Sequence, residues 1–306
     1  MKVVFLGTPD FAVLPLKAVC ETKGVEVAAV ICNKDKPFGR KQVLTAPPVK
    51  VIAESLGIPV FQYDKIRVEG VDDLKRLAPD LMITCAFGQI LSQEILDIPK
   101  HGVINIHASL LPKYRGASPI HYAILNGEKT TGITIMKTDI GIDTGDILLQ
   151  KSLQIGDNET CGELFERLSV LGAECIKDAL SLIMQNSAVY TPQIESKATF
   201  TKIITKEQAR IDWTKSADDI VNLVRAFNPA PVAFTTLNGE PFKIYSAEKC
   251  DITGNAGEIL FADKTLIVGA GEKSVSLLKV CKAGGKPMQI SDFLRGNKLS
   301  TGTKLG

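Results

Sequence analysis

Asn105 and His107 stand two positions apart in an apolar, β-branched run that also holds Val103, Ile104 and Ile106. In an extended chain residues i and i+2 point the same way, so the amide and the imidazole project side by side. Burying two such groups without partners costs roughly 1 to 3 kcal/mol each. A satisfied structural pair explains them on their own, but the residues downstream add chemistry: an irregular loop, SLLPKYRG, and then Asp143 in the turn-rich stretch Asp139-Ile-Gly-Ile-Asp143-Thr-Gly-Asp146. An amide, an imidazole and a carboxylate on a glycine-flanked loop can serve as oxyanion donor, proton-transfer group and orienting acid. Sequence alone does not bring Asp143 to His107.

Alternating strands and helices must position these groups. Lys2 to Leu6 reads as a strand that turns at Gly7-Thr8-Pro9 into a helix, with Thr8 suited to cap it. Val25 to Cys32, Ile58 to Gln62 and Asp80 to Ala86 read as further strands. The pattern predicts helices from about Pro48 to Leu56 and from Asp72 to Leu77. Such alternation implies an α/β fold with a doubly wound, mostly parallel sheet, whose site lies beyond the carboxyl ends of the strands. The loops Phe87-Gly88-Gln89-Ile90-Leu91 and Ser109-Leu110-Leu111-Pro112 emerge at that edge. Ser118-Pro119 is expected to cap a helix ending at Asn126-Gly127, and a strand from Gly132 to Lys137 to deliver Asp143 to the same edge.

Residues 160 to 185 carry Leu164, Leu168, Leu171, Cys175, Ala179 and Leu182 at helical spacing, which is packing without chemistry. The expected organisation is a catalytic domain over 1–189, a polar linker over 190–206 and a second domain over 207–306. The second begins with a helix carrying Ile220, Leu223, Val224 and Phe227. Five short strand candidates come after it, with the hairpin signal Asn238-Gly239, and suggest a small, OB-like β-barrel.

Composition excludes several classes. Thirty-six basic and thirty-four acidic residues leave a net charge of +2, so only local patches can select a charged partner. The seven cysteines are scattered, which speaks against a disulfide framework or zinc ribbon, and three histidines suggest no metal site. There is no run of about 18 apolar residues and Met1-Lys2 leads straight into a strand, so a cytoplasmic protein without membrane span or signal peptide is expected. GTPDF lacks the glycine fingerprint of dinucleotide binding, which disfavours an NAD-dependent oxidoreductase.

Two basic stretches do stand out. Residues 34–50 carry Lys34, Lys36, Arg40, Lys41 and Lys50 against Asp35, a local +4, and 264–306 hold eight Lys or Arg against Glu272 and Asp292, a local +6. Either is compatible with a solvated surface or with phosphate contacts.

The set GTPDF (7–11), PFGR (37–40), NIHASLLPKYRGASPI (105–120), TGITIMKTDIGIDTGDIL (131–148), RIDW (210–213) and VRAFNPAP (224–231) closely resembles the methionyl-tRNA formyltransferase family, a branch of the 10-formyltetrahydrofolate-dependent formyltransferases. The resemblance runs over nearly the full length. It implies transfer of a formyl group from 10-formyltetrahydrofolate to the α-amine of initiator methionyl-tRNA, by a monomer without a metal. Asn105, His107 and Asp143 are then the implied catalytic trio. The pterin would lie against Phe87 to Leu91 and against Thr138, Asp139, Ile140 and Gly141, with Ser109, Leu110, Leu111 and Pro112 lining the folate cleft. Arg40 and Lys41 would approach the tRNA acceptor end. The trio alone also fits a formyltransferase acting on a nucleotide-linked amino sugar, and a non-catalytic RNA-binding protein on the same fold is the remaining alternative.

Overall fold

The computed structural model describes every residue except Arg40, and of Phe38 the backbone alone. The expectation for Arg40 therefore lies outside the described residues. Spatial grouping divides the chain into two units. The first comprises Met1–Gly116, Thr130–Leu153 and Phe165–Thr201; the second comprises Ala117–Lys129, Gln154–Leu164 and Lys202–Gly306.

In the first unit, runs rich in Val, Ile and Leu build the strands β1 (Lys2–Gly7), β2 (Glu26–Cys32), β3 (Val60–Gln62), β4 (Leu81–Cys85), β5 (Val103–His107), β6 (Thr130–Lys137) and β7 (Ile147–Gln154). They form one sheet in the order β7-β6-β5-β4-β1-β2-β3. From β3 to β5 every pairing is parallel. β4 is buried along its whole length, as a strand covered on both faces must be, whereas β7 at the edge alternates with exposed positions. Chain order reverses between β1 and β4, which puts the turns after Gly7 and Cys85 at the switch point of a doubly wound sheet.

β6 departs from the expectation. It pairs antiparallel with β5, Ile104 opposite Lys137 and His107 opposite Thr134, so the chain leaves β6 beside the amino end of β5. Asp143 thus reaches the expected edge by a loop that folds back, not by running off the end of a parallel strand. Thr8 and Ser118 also differ from expectation. The Thr8 hydroxyl donates to the Phe87 carbonyl at 3.4 Å, and Ser118, at φ +59°, makes no side-chain cap to the helix Pro119–Leu125.

The helix Cys161–Met184 begins at a capping box, in which the Thr160 and Glu163 backbone N–H groups each donate to the other's side chain. Leu164, Leu168, Cys175 and Ala179 are buried along it. A Cβ on Gly172 would sit 3.3 Å from the Ile106 side chain, so this glycine sets how closely the helix approaches β5. Ile106 points opposite to Asn105 and His107. Residues 190–201, expected as linker, join the first unit: Thr191 exchanges hydrogen bonds with Ile147, and Phe200–Thr201 pairs in parallel with Arg115–Gly116. Polar, proline-bearing composition reads as linker, yet the backbone here finds partners in distant chain.

The second unit is built on β8 (Ala233–Leu237), β9 (Glu240–Cys250), β10 (Ile259–Ala262), β11 (Leu266–Gly269), β12 (Ser274–Lys282) and β13 (Met288–Gln289). The order is β8-β9-β12-β11-β10, with β13 beside β12, and every pairing is antiparallel. Asn238 and Gly239 both adopt positive φ, the type I′ geometry that their sequence signals. Leu305 bridges to Leu237 and Lys304 to Glu258, so residues 304–305 join the two ends of the sheet into a small barrel. Phe242, Ile244, Val268, Leu277, Phe293 and Leu305 fill it, with Ile220 and Val224 of the helix Ala217–Ala226 packed against them.

Candidate active site

Asn105 and His107 project from one face of β5, and the returning loop lays the Asp143 carboxylate between them. Asn105 Nδ2 donates to Asp143 Oδ1 at 3.4 Å, and His107 Nδ1 faces Asp143 Oδ2 at 3.6 Å. The same Oδ2 accepts the Gly116 N–H at 2.7 Å, which fixes the carboxylate. Asp143 sits at φ +52°, in the left-handed region that Asp tolerates better than most residues. The loop is braced from within: Asp139 Oδ1 accepts from the Gly141 N–H (3.0 Å) and the Thr144 hydroxyl (2.6 Å).

The partner of each side chain limits what it can do. Thr84 on β4 donates its hydroxyl to Asn105 Oδ1 at 2.9 Å, which points the Asn105 amide nitrogen toward Asp143. His107 is buried, and its Nε2 lies 3.0 Å from the Tyr114 carbonyl. A carbonyl only accepts, so Nε2 carries a hydrogen and Nδ1 is the nitrogen at which the ring gains or loses a proton.

The expected folate contacts divide by availability. Phe87 and Leu91 are buried, while Gly88 and Ile90 are exposed. The Phe87 carbonyl is occupied by Thr8 and by Asn33 Nδ2 (3.2 Å), and the Gln89 amide is taken up by Asn33, the Tyr63 carbonyl and the Ile66 N–H. Gln89 thus holds its loop and offers main chain only. On the other side Asp139, Ile140 and Gly141 are exposed and Thr138 is half-buried. Ser109 and Leu111 are buried: the Ser109 hydroxyl donates to the Lys113 carbonyl, and Thr134 Oγ1 binds both the Ser109 carbonyl and the Leu111 N–H. Leu110 and Pro112 keep partial surface.

Lys41 is exposed beside the small hairpin Lys36–Phe38/Val43–Thr45, next to the exposed Val43 and Leu44. Part of the charge counted around it is neutralised, since Lys34 pairs with Asp64 and Lys50 with Asp35 at 3.0 Å. In the barrel, Lys273 pairs with Asp251 and Arg295 with Asp292. Lys264, Lys279, Lys282, Lys286, Lys298 and Lys304 are exposed.

Sequence reasoning missed Thr84, Arg115 and Gln193. Thr84 had a signal, being the one hydroxyl in the apolar run Leu81–Cys85. Arg115 is almost wholly buried, with Nε on Gln193 Oε1 (3.1 Å) and Nη1 on Glu195 (2.9 Å). Cys85, at the end of β4, is no nucleophile, because complete burial pushes its thiol pKa up. Among the described residues no group of three or more His, Cys, Asp or Glu could hold a metal ion.

Comparison with known proteins shows the family of the chain. The model of the family described as formyl transferase matches residues 1–180, and that of the formyl transferase C-terminal domain matches 203–298. Methionyl-tRNA formyltransferase of Geobacter sulfurreducens is 44% identical over 308 residues, covering 100% of this chain and 97% of its own. Among solved structures, HypX from Aquifex aeolicus in complex with tetrahydrofolic acid superposes with a TM-score of 0.64 at 18% identity; the match covers 99% of this chain and only half of that one. The N-formyltransferase from Helicobacter canadensis with folinic acid and dTDP-3-aminofucose superposes with a TM-score of 0.68 at 22% identity, covering 90% of this chain and 98% of that one. At such identities the two structures show the shared fold alone. With both family models matched and full-length identity to methionyl-tRNA formyltransferase this high, the chain belongs to the formyl transferase family, among the methionyl-tRNA formyltransferases.

Proposed function

We propose that the chain transfers the formyl group of 10-formyltetrahydrofolate to the α-amine of initiator methionyl-tRNA, with Asn105, His107 and Asp143 performing the chemistry. The observation that carries this reading is the Asp143 carboxylate, held by the Gly116 N–H at 2.7 Å with the Asn105 amide and His107 Nδ1 on either side. In the transfer the amine nitrogen bonds the formyl carbon, an oxyanion forms, and the bond from that carbon to N10 breaks. Asn105 Nδ2 has a second hydrogen, not directed at Asp143, to donate to the oxyanion. Because His107 Nε2–H is committed to Tyr114, His107 acts through Nδ1. Nδ1 relays the proton from the attacking amine to N10, with Asp143 stabilising the imidazolium meanwhile.

The surroundings fit a folate. A flat pterin with an amide edge suits exposed main chain, which Gly88, Ile90 and Gly141 supply, while the side chains of Ile90, Ile140 and Ile142 offer exposed apolar surface. For the tRNA, Lys41, exposed beside the hairpin Lys36–Phe38/Val43–Thr45, approaches the acceptor end together with Arg40, and the exposed lysines of the barrel contact the phosphate backbone. We take 1–189, with the 190–201 strap, as the catalytic part and 207–306 as the tRNA-binding part, joined through 202–206 and working in the cytoplasm where initiator tRNA is charged.

One assay tests the reading: incubation with 10-formyltetrahydrofolate and methionyl initiator tRNA, with N-formylmethionine as product. Formylation of a nucleotide-linked amino sugar in place of the tRNA overturns it.

A further inference from the structure

Residues 190–201 strap the candidate site from outside. Thr199 accepts the Arg115 N–H on its carbonyl and the Tyr114 N–H on its hydroxyl, both at 2.8 Å, and the Thr201 hydroxyl donates to the Arg115 carbonyl at 3.0 Å. Between the strap's anchors at Thr191 and Thr199, Gln193 turns inward. Its Nε2 donates to the carbonyls of Asp143 and Gly145, each at 2.8 Å, and its Oε1 accepts from Arg115 Nε.

Arg115 lies between the two residues whose main chain holds the site: the Tyr114 carbonyl takes His107 Nε2, and the Gly116 N–H takes Asp143 Oδ2. One buried contact, Arg115 to Gln193, therefore joins the segment that orients His107 to the loop that carries Asp143. The arrangement is a poor way to gain stability. Arg115 Nη2 is buried without a partner, and its carboxylate partner Glu195 is 74% exposed. An apolar side chain of similar volume would fill the space without burying a charge.

We infer that Gln193 and Arg115 are positioning residues for formyl transfer, fixing the separation of His107 and Asp143 through main-chain carbonyls and N–H groups while touching no reacting atom. The inference rests on the roles given above to the trio. It predicts a loss in turnover without a loss in substrate binding, because a displacement near 1 Å between reacting groups lowers rates by about 100-fold.

The test is steady-state formylation by Gln193→Glu, which keeps the length and the acceptor for Arg115 Nε and removes both donated hydrogens. Gln193→Met, uncharged, is made beside it in case the first variant does not fold, and a thermal melt confirms the fold of each. The expected result is kcat lower by about 100-fold with KM for 10-formyltetrahydrofolate and for methionyl-tRNA unchanged. A folded variant with wild-type kcat, or one whose whole loss is in KM, overturns the inference. Asp143→Asn, assayed in parallel, separates the two levels. If it is inactive while the Gln193 variants keep wild-type kcat, only the positioning role falls; if it keeps full activity, the assignment of the trio falls and the positioning role with it.

Discussion

The Tyr114 carbonyl receives the Nε2 hydrogen of His107 at 3.0 Å, so the ring meets Asp143 with its other nitrogen, 3.6 Å from Oδ2. His107→Gln tests the functional weight of that nitrogen, since an amide can still donate toward Tyr114 but cannot shuttle a proton. Turnover should fall by at least about 100-fold, the usual contribution of a general acid-base group. Formylation assays on a variant whose melt matches wild type measure it, and near-complete activity would remove His107 from the chemistry.

Thr84→Val keeps shape and deletes the hydroxyl that orients Asn105. With Oδ1 released, the Asn105 amide can rotate and present oxygen where a donor is required. We expect kcat to drop by about tenfold, less than the effect of deleting an oxyanion donor outright, with KM little changed. Asn105→Ala in the same assay gives the full effect for comparison, and a Thr84→Val enzyme as slow as Asn105→Ala would mean that Thr84 does more than orient.

Burial pushes the thiol of Cys32 up to about 11 and those of Cys161 and Cys175 up to about 12. In the unfolded chain these thiols ionise near about 8.5, so their contribution to stability is intact below that pH and is lost progressively as pH rises toward 11 to 12. The melting temperature should decline above about pH 9, and replacing the three cysteines with alanine should make that decline shallower. An identical alkaline slope in the triple variant would assign it to other groups. At pH 8 a thiol reagent should modify the half-buried Cys20 and Cys250 before the five buried cysteines.

Leu305 is buried in the barrel and bridges to Leu237 at the end of β8. Leu305→Ala removes that packing and should destabilise the protein by about 2 to 5 kcal/mol, measured as a lower denaturation midpoint in urea. An unchanged midpoint would show that residues 304–305 contribute no closure to the barrel.

Legibility in the sequence tracks the physical range of each interaction. The pairing of Asn105 with His107 rests on the two-residue period of a strand, and the helix Cys161–Met184 on a heptad-like stripe, so both are legible locally. The Asn238-Gly239 hairpin is legible because few residues accept two consecutive positive φ values. The direction of β6 is not, since a strand's sequence does not say which way its neighbour runs, and the path to Asp143 departs from expectation for that reason. Arg115 and Gln193 lie 78 residues apart, and no local pattern marks a contact made through one side chain on each. By type and neighbours Arg115 resembles any polar loop residue, and Gln193 resembles linker.

The division of the chain has a consequence for how such proteins can be recombined. The path crosses between the two units five times, because Ala117–Lys129 and Gln154–Leu164 group with the barrel though they interrupt the sheet's own sequence. Arg225 shows the dependence, with its Nη1 donating to the carbonyls of Gly156 (3.0 Å) and Glu159 (3.3 Å). A chimera that exchanges residues 202–306 alone would set a foreign arginine against a resident loop it did not evolve beside. The barrel unit can be transplanted between relatives only as a set of three separate segments, so single-crossover fusions are expected to yield few folded hybrids.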